Sequence, residues 1–346
     1  MRILHITFTF GYGGIETMLV NIANAQKEMG HDVALIVIED VVAQELMDRL
    51  HSGIRVHYAH RKQNKDLVAL GRVNYFVWKE NPDAIHLHSS SAYRLLLCPK
   101  HKRIANSTLH AMPNAENTRF IEQVPKRFAI SQSVHNALLE YKGVDSVVNP
   151  NGIMPECICC KKTPANTGVL RIVQVSRLEH KKKGQDILIK ACGVLMSKGI
   201  ENYHVDFIGD GDSLPYLQQL AKQCGVSDYI SFLGAKEQNY IFQHLCDYDL
   251  FVQPSRFEGF GLTVAEAMAA KTPVLVAGDG PEEVIDYGKY GYVFENGNHE
   301  DLADKLEKII KGGFDEKMRE AAYQRVWNLY NIKVTAENYV NQYEKR

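Results

Sequence analysis

Short apolar runs alternate with longer stretches of helical period along almost the whole chain. Runs rich in β-branched and apolar residues at 3–7, 33–38, 54–58, 84–88, 103–105 and 128–130 predict strands in the first half. In the second half the same signal falls at 171–175, 204–208, 230–233, 250–253, 274–277 and 292–294. Apolar residues at helical spacing lie between most of them, for example at 15–29, 185–196, 214–224 and 262–270. Strands that are apolar on both faces and alternate with helices predict parallel sheets covered on both sides, an α/β fold.

The alternation starts twice, near residue 1 and near residue 170, so two Rossmann-like domains are expected. Their bounds are 1–158 and 168–332, with a terminal helix at about 333–346 packing back on the first. Asn149-Pro150-Asn151-Gly152 and the polar stretch running to Gly168 read as the linker. Two such domains would face each other across a cleft at the C-terminal ends of their strands, where open α/β sheets bind ligands.

Composition removes several classes of function. The 346 residues are 45% apolar and 23% charged, ordinary for a globular protein. Forty basic residues against 41 acids give a net charge of −1 and no overall attraction to nucleic acid. No apolar run approaches the length of a bilayer span. Met1 leads straight into a strand without secretory-leader architecture, and seven unevenly spaced cysteines do not read as a disulfide framework. A reduced, cytoplasmic protein is expected.

Charge is nonetheless uneven: residues 61–103 hold nine Lys and Arg against three acids. Within this stretch Tyr93, Leu95, Leu96 and Leu97 stand beside Lys100, Lys102 and Arg103. An apolar stripe flanked by cations suits peripheral contact with an anionic membrane at the inner face of the cell membrane. A core helix followed by a solvated basic turn explains the same residues.

Three segments carry candidate chemistry. Gly11-Tyr12-Gly13-Gly14 joins a strand to a helix, where backbone N–H groups and the helix N-terminus favour an anion. It lacks the third glycine of the dinucleotide fingerprint, and a tight turn explains it as well. Arg177 and Lys183 lie just after a strand, where a guanidinium fork and a point charge could neutralise a diphosphate; a solvated basic loop is the plainer reading. The most informative segment is 254–268, Pro-Ser-Arg-Phe-Glu-Gly-Phe-Gly-Leu-Thr-Val-Ala-Glu-Ala-Met. A strand feeds a Gly-rich loop and then a helix, with Glu258 before the helix and Glu266 inside it. Carboxylates accept hydrogen bonds from vicinal hydroxyls, as a ribose or hexose presents.

This segment resembles the Glu-x7-Glu signature of the retaining, nucleotide-sugar-dependent glycosyltransferases of GT-B fold, family four in the usual classification. The similarity extends over nearly the whole chain. It includes Gly13-Gly14, the run Gly30-His31-Asp32-Val33, Ala84-Ile85-His86-Leu87-His88, Asn149 to Ile153, Ser176-Arg177-Leu178 through Lys183-Gly184, and Phe207 to Gly211. Ser176 departs from the usual glycine, and Lys182 competes with Lys183 for the phosphate role.

The resemblance implies two Rossmann-like domains facing across a cleft and transfer of a hexose from an NDP-sugar, a UDP-sugar first, to an acceptor hydroxyl with retention. Arg177 and Lys183 would hold the diphosphate, completed by Gly13, Gly14 and the backbone of Gly259, Phe260, Gly261 and Leu262. Glu266 would bind the ribose, Glu258 the transferred sugar, and His88 both donor sugar and acceptor. No cofactor or metal is expected. Asp210-Gly211-Asp212 and Asp247-Tyr248-Asp249 read as structural, and Cys157, Cys159 and Cys160 as free thiols. Partners would be the NDP-sugar and a glycan or lipid-linked acceptor, in assembly of a bacterial surface polysaccharide or similar glycan. The rivals are a sugar-nucleotide epimerase of the same fold and a non-catalytic nucleotide-sugar-binding subunit.

Overall fold

A computed structural model describes residues 1–11, 13–63, 65–160 and 168–345. It divides into two compact units, one of residues 1–152 with 331–346 and one of residues 153–330. Each is a parallel sheet sandwiched by helices, and each contains its own apolar core.

The first unit holds β1 (Arg2–Thr7), β2 (Asp32–Glu39), β3 (Arg55–Arg61), β4 (Ala84–Leu87), β5 (Ala105–Leu109), β6 (Lys126–Ala129) and β7 (Val147–Val148). Their order is β3-β2-β1-β4-β5-β6-β7, all parallel. The second holds β8 (Leu170–Val175), β9 (Tyr203–Ile208), β10 (Ile230–Phe232), β11 (Leu250–Gln253), β12 (Val274–Val276) and β13 (Tyr292–Val293), in the order β10-β9-β8-β11-β12-β13. The winding direction reverses between β1 and β4 in one sheet and between β8 and β11 in the other. Such reversals open a crevice at the C-terminal strand ends, where loops diverge to opposite faces.

The strands follow the apolar runs, with instructive exceptions. A strand expected at 103–105 lies at Ala105–Leu109, because Pro99 opens a short helix, Pro99–Arg103, over the preceding residues. That strand reads Ala-Asn-Ser-Thr-Leu, too polar for an apolar period, yet every residue is buried. Asn106 donates to the Ile85 and Ile104 carbonyls, and Thr108 meets His86 and Tyr339. Hydrogen bonding thus permits a polar strand in the interior. The two-residue β7 is too short to announce itself.

The expected domain edges shift as well. Residues 153–160 belong to the second unit, where the Cys159 N–H donates to the Phe242 carbonyl at 2.9 Å. The rest of the expected linker, 161–167, lies outside the described residues. The terminal helix, Ile332–Glu344, belongs to the first unit: Tyr343 meets His86, and Asn149 donates to the Thr335 carbonyl at 3.1 Å. All seven cysteines are free thiols. Among the described residues no helix is long and apolar enough to cross a membrane.

Candidate functional site: two strand-end crevices

In the second unit, β8 leads into Ser176 and Arg177, and a helical turn, His180–Lys183, follows. Gly184 closes that turn at φ +68°. The turn faces Lys182 outward, where it pairs with Glu179 at 2.9 Å with 61% of its side chain exposed. Lys183 faces inward. Its ammonium donates to Glu258 Oε2 at 2.6 Å, bringing together two residues 75 positions apart.

The same carboxylate oxygen accepts from Ser255 Oγ at 3.1 Å and from Gln253 Nε2 at 3.2 Å. Glu258 is therefore held from three sides, by one cation and two neutral donors. Beneath the pair, Gln174 Nε2 donates to the Lys183 carbonyl and Gln185 Nε2 to the Arg177 carbonyl, both at 2.8 Å. These buried amides tie the loop carrying Lys183 to β8.

A second clamp was not visible in the sequence. Arg256 donates to both oxygens of Asp186 at 2.8 Å and to the His180 carbonyl at 2.7 Å. A bidentate guanidinium–carboxylate pair fixes orientation as well as distance. It locks the loop carrying Glu258 onto the segment carrying Lys183. Arg177, by contrast, is exposed, and among the described residues its guanidinium has no hydrogen-bond or ion-pair partner.

The Gly-rich loop ends at Gly261 (φ +98°), which precedes the helix Leu262–Ala269. The first N–H groups of a helix lack internal partners and attract negative charge. Phe260 is buried and stands edge-on to Tyr330, so at that position the loop offers only backbone.

Glu266 lies within the helix, half-buried, and desolvation pushes its carboxyl up from the ordinary 4.5 to about 8. Below pH 4.5 folded and unfolded chains both hold that proton. Between 4.5 and 8 only the folded chain keeps it, so stability falls as pH rises; above 8 the loss is constant. Glu266→Gln should therefore match wild type in melting temperature at pH 4 and exceed it at pH 9. Equal differences at both pH values would contradict the buried-acid assignment.

The two Asp-x-Asp triplets are engaged in turns and strand ends. Asp210 Oδ1 accepts from the Gly211 N–H, Asp249 Oδ2 from the Arg171 N–H, and Asp247 pairs with His244. Among the described residues no three His, Cys, Asp or Glu side chains cluster as a metal site would need.

In the first unit, the loop after β1 delivers Gly13 and Gly14 to the start of the helix Gly14–Glu28. That N-terminus already has a carboxylate. Glu16 folds back over Gly13 and accepts from Thr9 Oγ1 at 3.0 Å. An anion arriving here must share or displace it.

The strand ends of this unit also gather four histidines: His5 on β1, His86 on β4, and His88 and His110 just after β4 and β5. His88 is 4% exposed, and both ring nitrogens are occupied, one by His5 at 3.0 Å and one by His110 at 3.2 Å. It cannot itself touch donor and acceptor in this arrangement. His110, which the sequence reading passed over, is the half-buried member at the strand edge.

Burial lowers the pKa values of His5 and His110 to about 4 and those of His86 and His88 well below the usual value, so the cluster is neutral at pH 7. A neutral imidazole has one donor and one acceptor. With Gln26 Oε1 taken as the acceptor toward His5 Nε2 at 2.8 Å, His5 Nδ1 accepts from His88 Nε2. His88 Nδ1 then accepts from His110 Nε2. The chain ends with the Nδ1 of His110 as an acceptor that has no hydrogen-bond partner among the described residues.

Two family profiles divide the sequence between them: Glycosyltransferase Family 4 matches residues 12–156, and Glycosyl transferases group 1 matches residues 160–325. The chain is 24% identical to a phosphatidyl-myo-inositol mannosyltransferase of Mycobacterium leprae, over 96% of this chain and 93% of the relative. It is 25% identical to an N-acetyl-alpha-D-glucosaminyl L-malate synthase of Bacillus anthracis, over 81% and 78%. Among solved structures, a glycosyltransferase from Rickettsia africae superposes with a TM-score of 0.84 at 21% identity, over 99% and 98% of the two chains. Anabaena HepE in complex with UDP and glucose does so with 0.78 at 20% identity, over 99% of both. Two parallel-sheet Rossmann-like units, two family profiles spanning nearly the whole sequence and relatives of matching length converge on one assignment: the chain belongs to the group 1 glycosyltransferases, with the GT-B fold.

Proposed function

We propose that this glycosyltransferase moves a hexose from an NDP-sugar, a UDP-sugar first, to an acceptor hydroxyl with retention at the anomeric carbon. The acceptor would be a glycan or a lipid-linked glycan in surface polysaccharide assembly. The observation that carries the reading is the Lys183–Glu258 pair set beside a Gly-rich helix N-terminus. A diphosphate brings the negative charge that Lys183 now finds in Glu258, and Arg177, which has no partner among the described residues, is able to add a fork. Glu258, displaced from Lys183 by the diphosphate, would stand beside the transferred sugar.

In the proposed step the bond from the anomeric carbon to the diphosphate oxygen breaks, and the acceptor oxygen bonds that carbon on the same face. The acceptor's proton passes to the departing diphosphate oxygen. The protein's part is to stabilise the growing charge on the leaving group and to hold the oxocarbenium-like sugar. Lys183, Arg177 and the helix N-terminus supply the positive field that a metal would otherwise bring. In the first unit, His110 Nδ1, kept as an acceptor by the imidazole chain behind it, would take a hydrogen bond from an acceptor hydroxyl, with His88 acting through it as a positioning residue.

The names of the relatives set the range of donors. HepE was crystallised with UDP and glucose, and mannosyltransferases of Mycobacterium tuberculosis are named for GDP-mannose. The test is a panel of UDP- and GDP-sugars, each incubated with and without a chelator, with nucleoside diphosphate release measured against isomerised donor. Release of the nucleoside diphosphate from one sugar nucleotide, unchanged by the chelator, is expected. Isomerised donor without release would instead select an epimerase, and neither product from any donor a binding subunit.

A further inference from the structure

The helix Leu67–Glu80 has two apolar faces, only one of which the fold uses. At 100° per residue, Ala69, Val73 and Val77 share a buried side packed against the first sheet. Leu67, Val68, Tyr75 and Trp78 fall within an arc of about 100° on the opposite side. They are 78%, 63%, 55% and 70% exposed. Leu97, 59% exposed, adjoins this arc: its N–H donates to Asn74 Oδ1 at 3.0 Å, and Asn74 precedes Trp78 by one turn. The structure thereby corrects the stripe expected at 93–97, because Tyr93 and Leu96 are buried and the apolar surface lies on the preceding helix.

Cations frame the stripe at both ends. At its start, Lys65, Leu67 and Arg94 line a cavity of about 400 Å³. Beyond its end, Asn81, Pro99, Lys100 and Arg103 line another of about 830 Å³. The three acids of residues 61–103 are already committed: Asp66 caps the helix by accepting from the Ala69 N–H, Glu80 pairs with Arg55, and Asp83 pairs with Arg2. Among the described residues Lys65, Lys100 and Arg103 have no ion-pair partner.

We infer that this face docks the enzyme on an anionic lipid bilayer, with the helix lying in the plane of the interface. Leu67, Val68 and Leu97 enter the acyl boundary, Tyr75 and Trp78 sit at headgroup level, and the cation-lined cavities take lipid phosphates. Aliphatic side chains, aromatic rings and lysine or arginine in that arrangement match the layers of a membrane surface. An acidic protein would account for the cations and leave a Trp- and Leu-bearing stripe without a stated counterpart. The inference rests on this surface and not on the donor site, so vesicle binding and nucleotide binding can fail independently.

The test uses the full chain with phosphatidylglycerol or phosphatidylcholine vesicles at low and high salt. The protein should sediment with the anionic vesicles at low salt, and less with neutral ones or at high salt. One of only two tryptophans is Trp78, so emission should shift to the blue on anionic vesicles, and the shift should vanish in Trp78→Phe. Leu67→Ser/Trp78→Ser should lower partitioning more than tenfold. Each cation near an anionic surface is worth about fivefold, so Lys100→Glu/Arg103→Glu should lower it roughly 25-fold or more. Both double variants should keep nucleoside diphosphate affinity. Wild-type protein left in the supernatant with anionic vesicles at low salt would overturn the inference. So would sedimentation without vesicles, which would give the face to a second copy of the chain.

Discussion

Glu258→Gln should lower kcat by roughly 100-fold or more while nucleoside diphosphate binding stays normal or tightens slightly. Removing a charge that acts only as the sugar becomes cationic is a loss felt in the transition state, of the size seen when one preorganised electrostatic contact is deleted. The ligand-free geometry adds the second half of the expectation. Glu258 holds the Lys183 ammonium at 2.6 Å, and a diphosphate must take that ammonium over. Neutralising residue 258 removes the competitor. Single-turnover kinetics and calorimetry on the same variant measure the two effects separately. Parallel losses in binding and turnover would mean that Glu258 supports the fold of the loop and not the reaction.

Gly184→Ala should cost about as much in turnover without touching any group that meets substrate. The residue sits at φ +68°, and a Cβ there would lie 1.8 Å from the Pro254 carbonyl oxygen. Either the loop bearing Glu258 or the turn bearing Lys183 must move by an ångström or more. Displacements of about 1 Å can cost roughly 100-fold in rate. Gly199→Ala provides the control, since it has the same kind of backbone at φ +71° with nothing within 4 Å of an added Cβ. Both substitutions should lower the melting temperature through backbone strain. Only Gly184→Ala should abolish the Lys183–Glu258 geometry and with it the rate. Equal rates in the two variants would refute the close-approach argument.

Much of this was legible because the chemistry is local. Strand–loop–helix units announce themselves by apolar period and glycine, so Arg177, Lys183, Glu258 and Glu266 could be singled out from short segments. What escaped depends on distance. Which of Lys182 and Lys183 meets Glu258 is decided by one helical turn that faces Lys183 toward a residue 75 positions away. The Arg256–Asp186 clamp spans 70 positions and has no periodic signature. His110 escaped because it closes a polar strand whose burial is sustained by hydrogen bonds and not by apolar character. The histidine chain in turn explains why His88, prominent in the sequence, lies behind the surface. The 67–80 helix and its exposed apolar arc were not anticipated, because two apolar arcs on one helix carry no sign of which one the sheet covers.

The crevice formed after β8 and β11 is expected to hold a donor diphosphate between Arg177, Lys183 and the loop from Gly259 to Leu262. Calorimetric titration of UDP and GDP into wild type, Arg177→Ala and Lys183→Ala tests it without knowledge of sugar or acceptor. One of the two nucleotides should bind wild type, and each variant should weaken it by roughly 10- to 150-fold, the worth of a charge-assisted contact of about 1.5–3 kcal/mol. Unchanged affinity in both variants would place the nucleotide elsewhere and contradict the account.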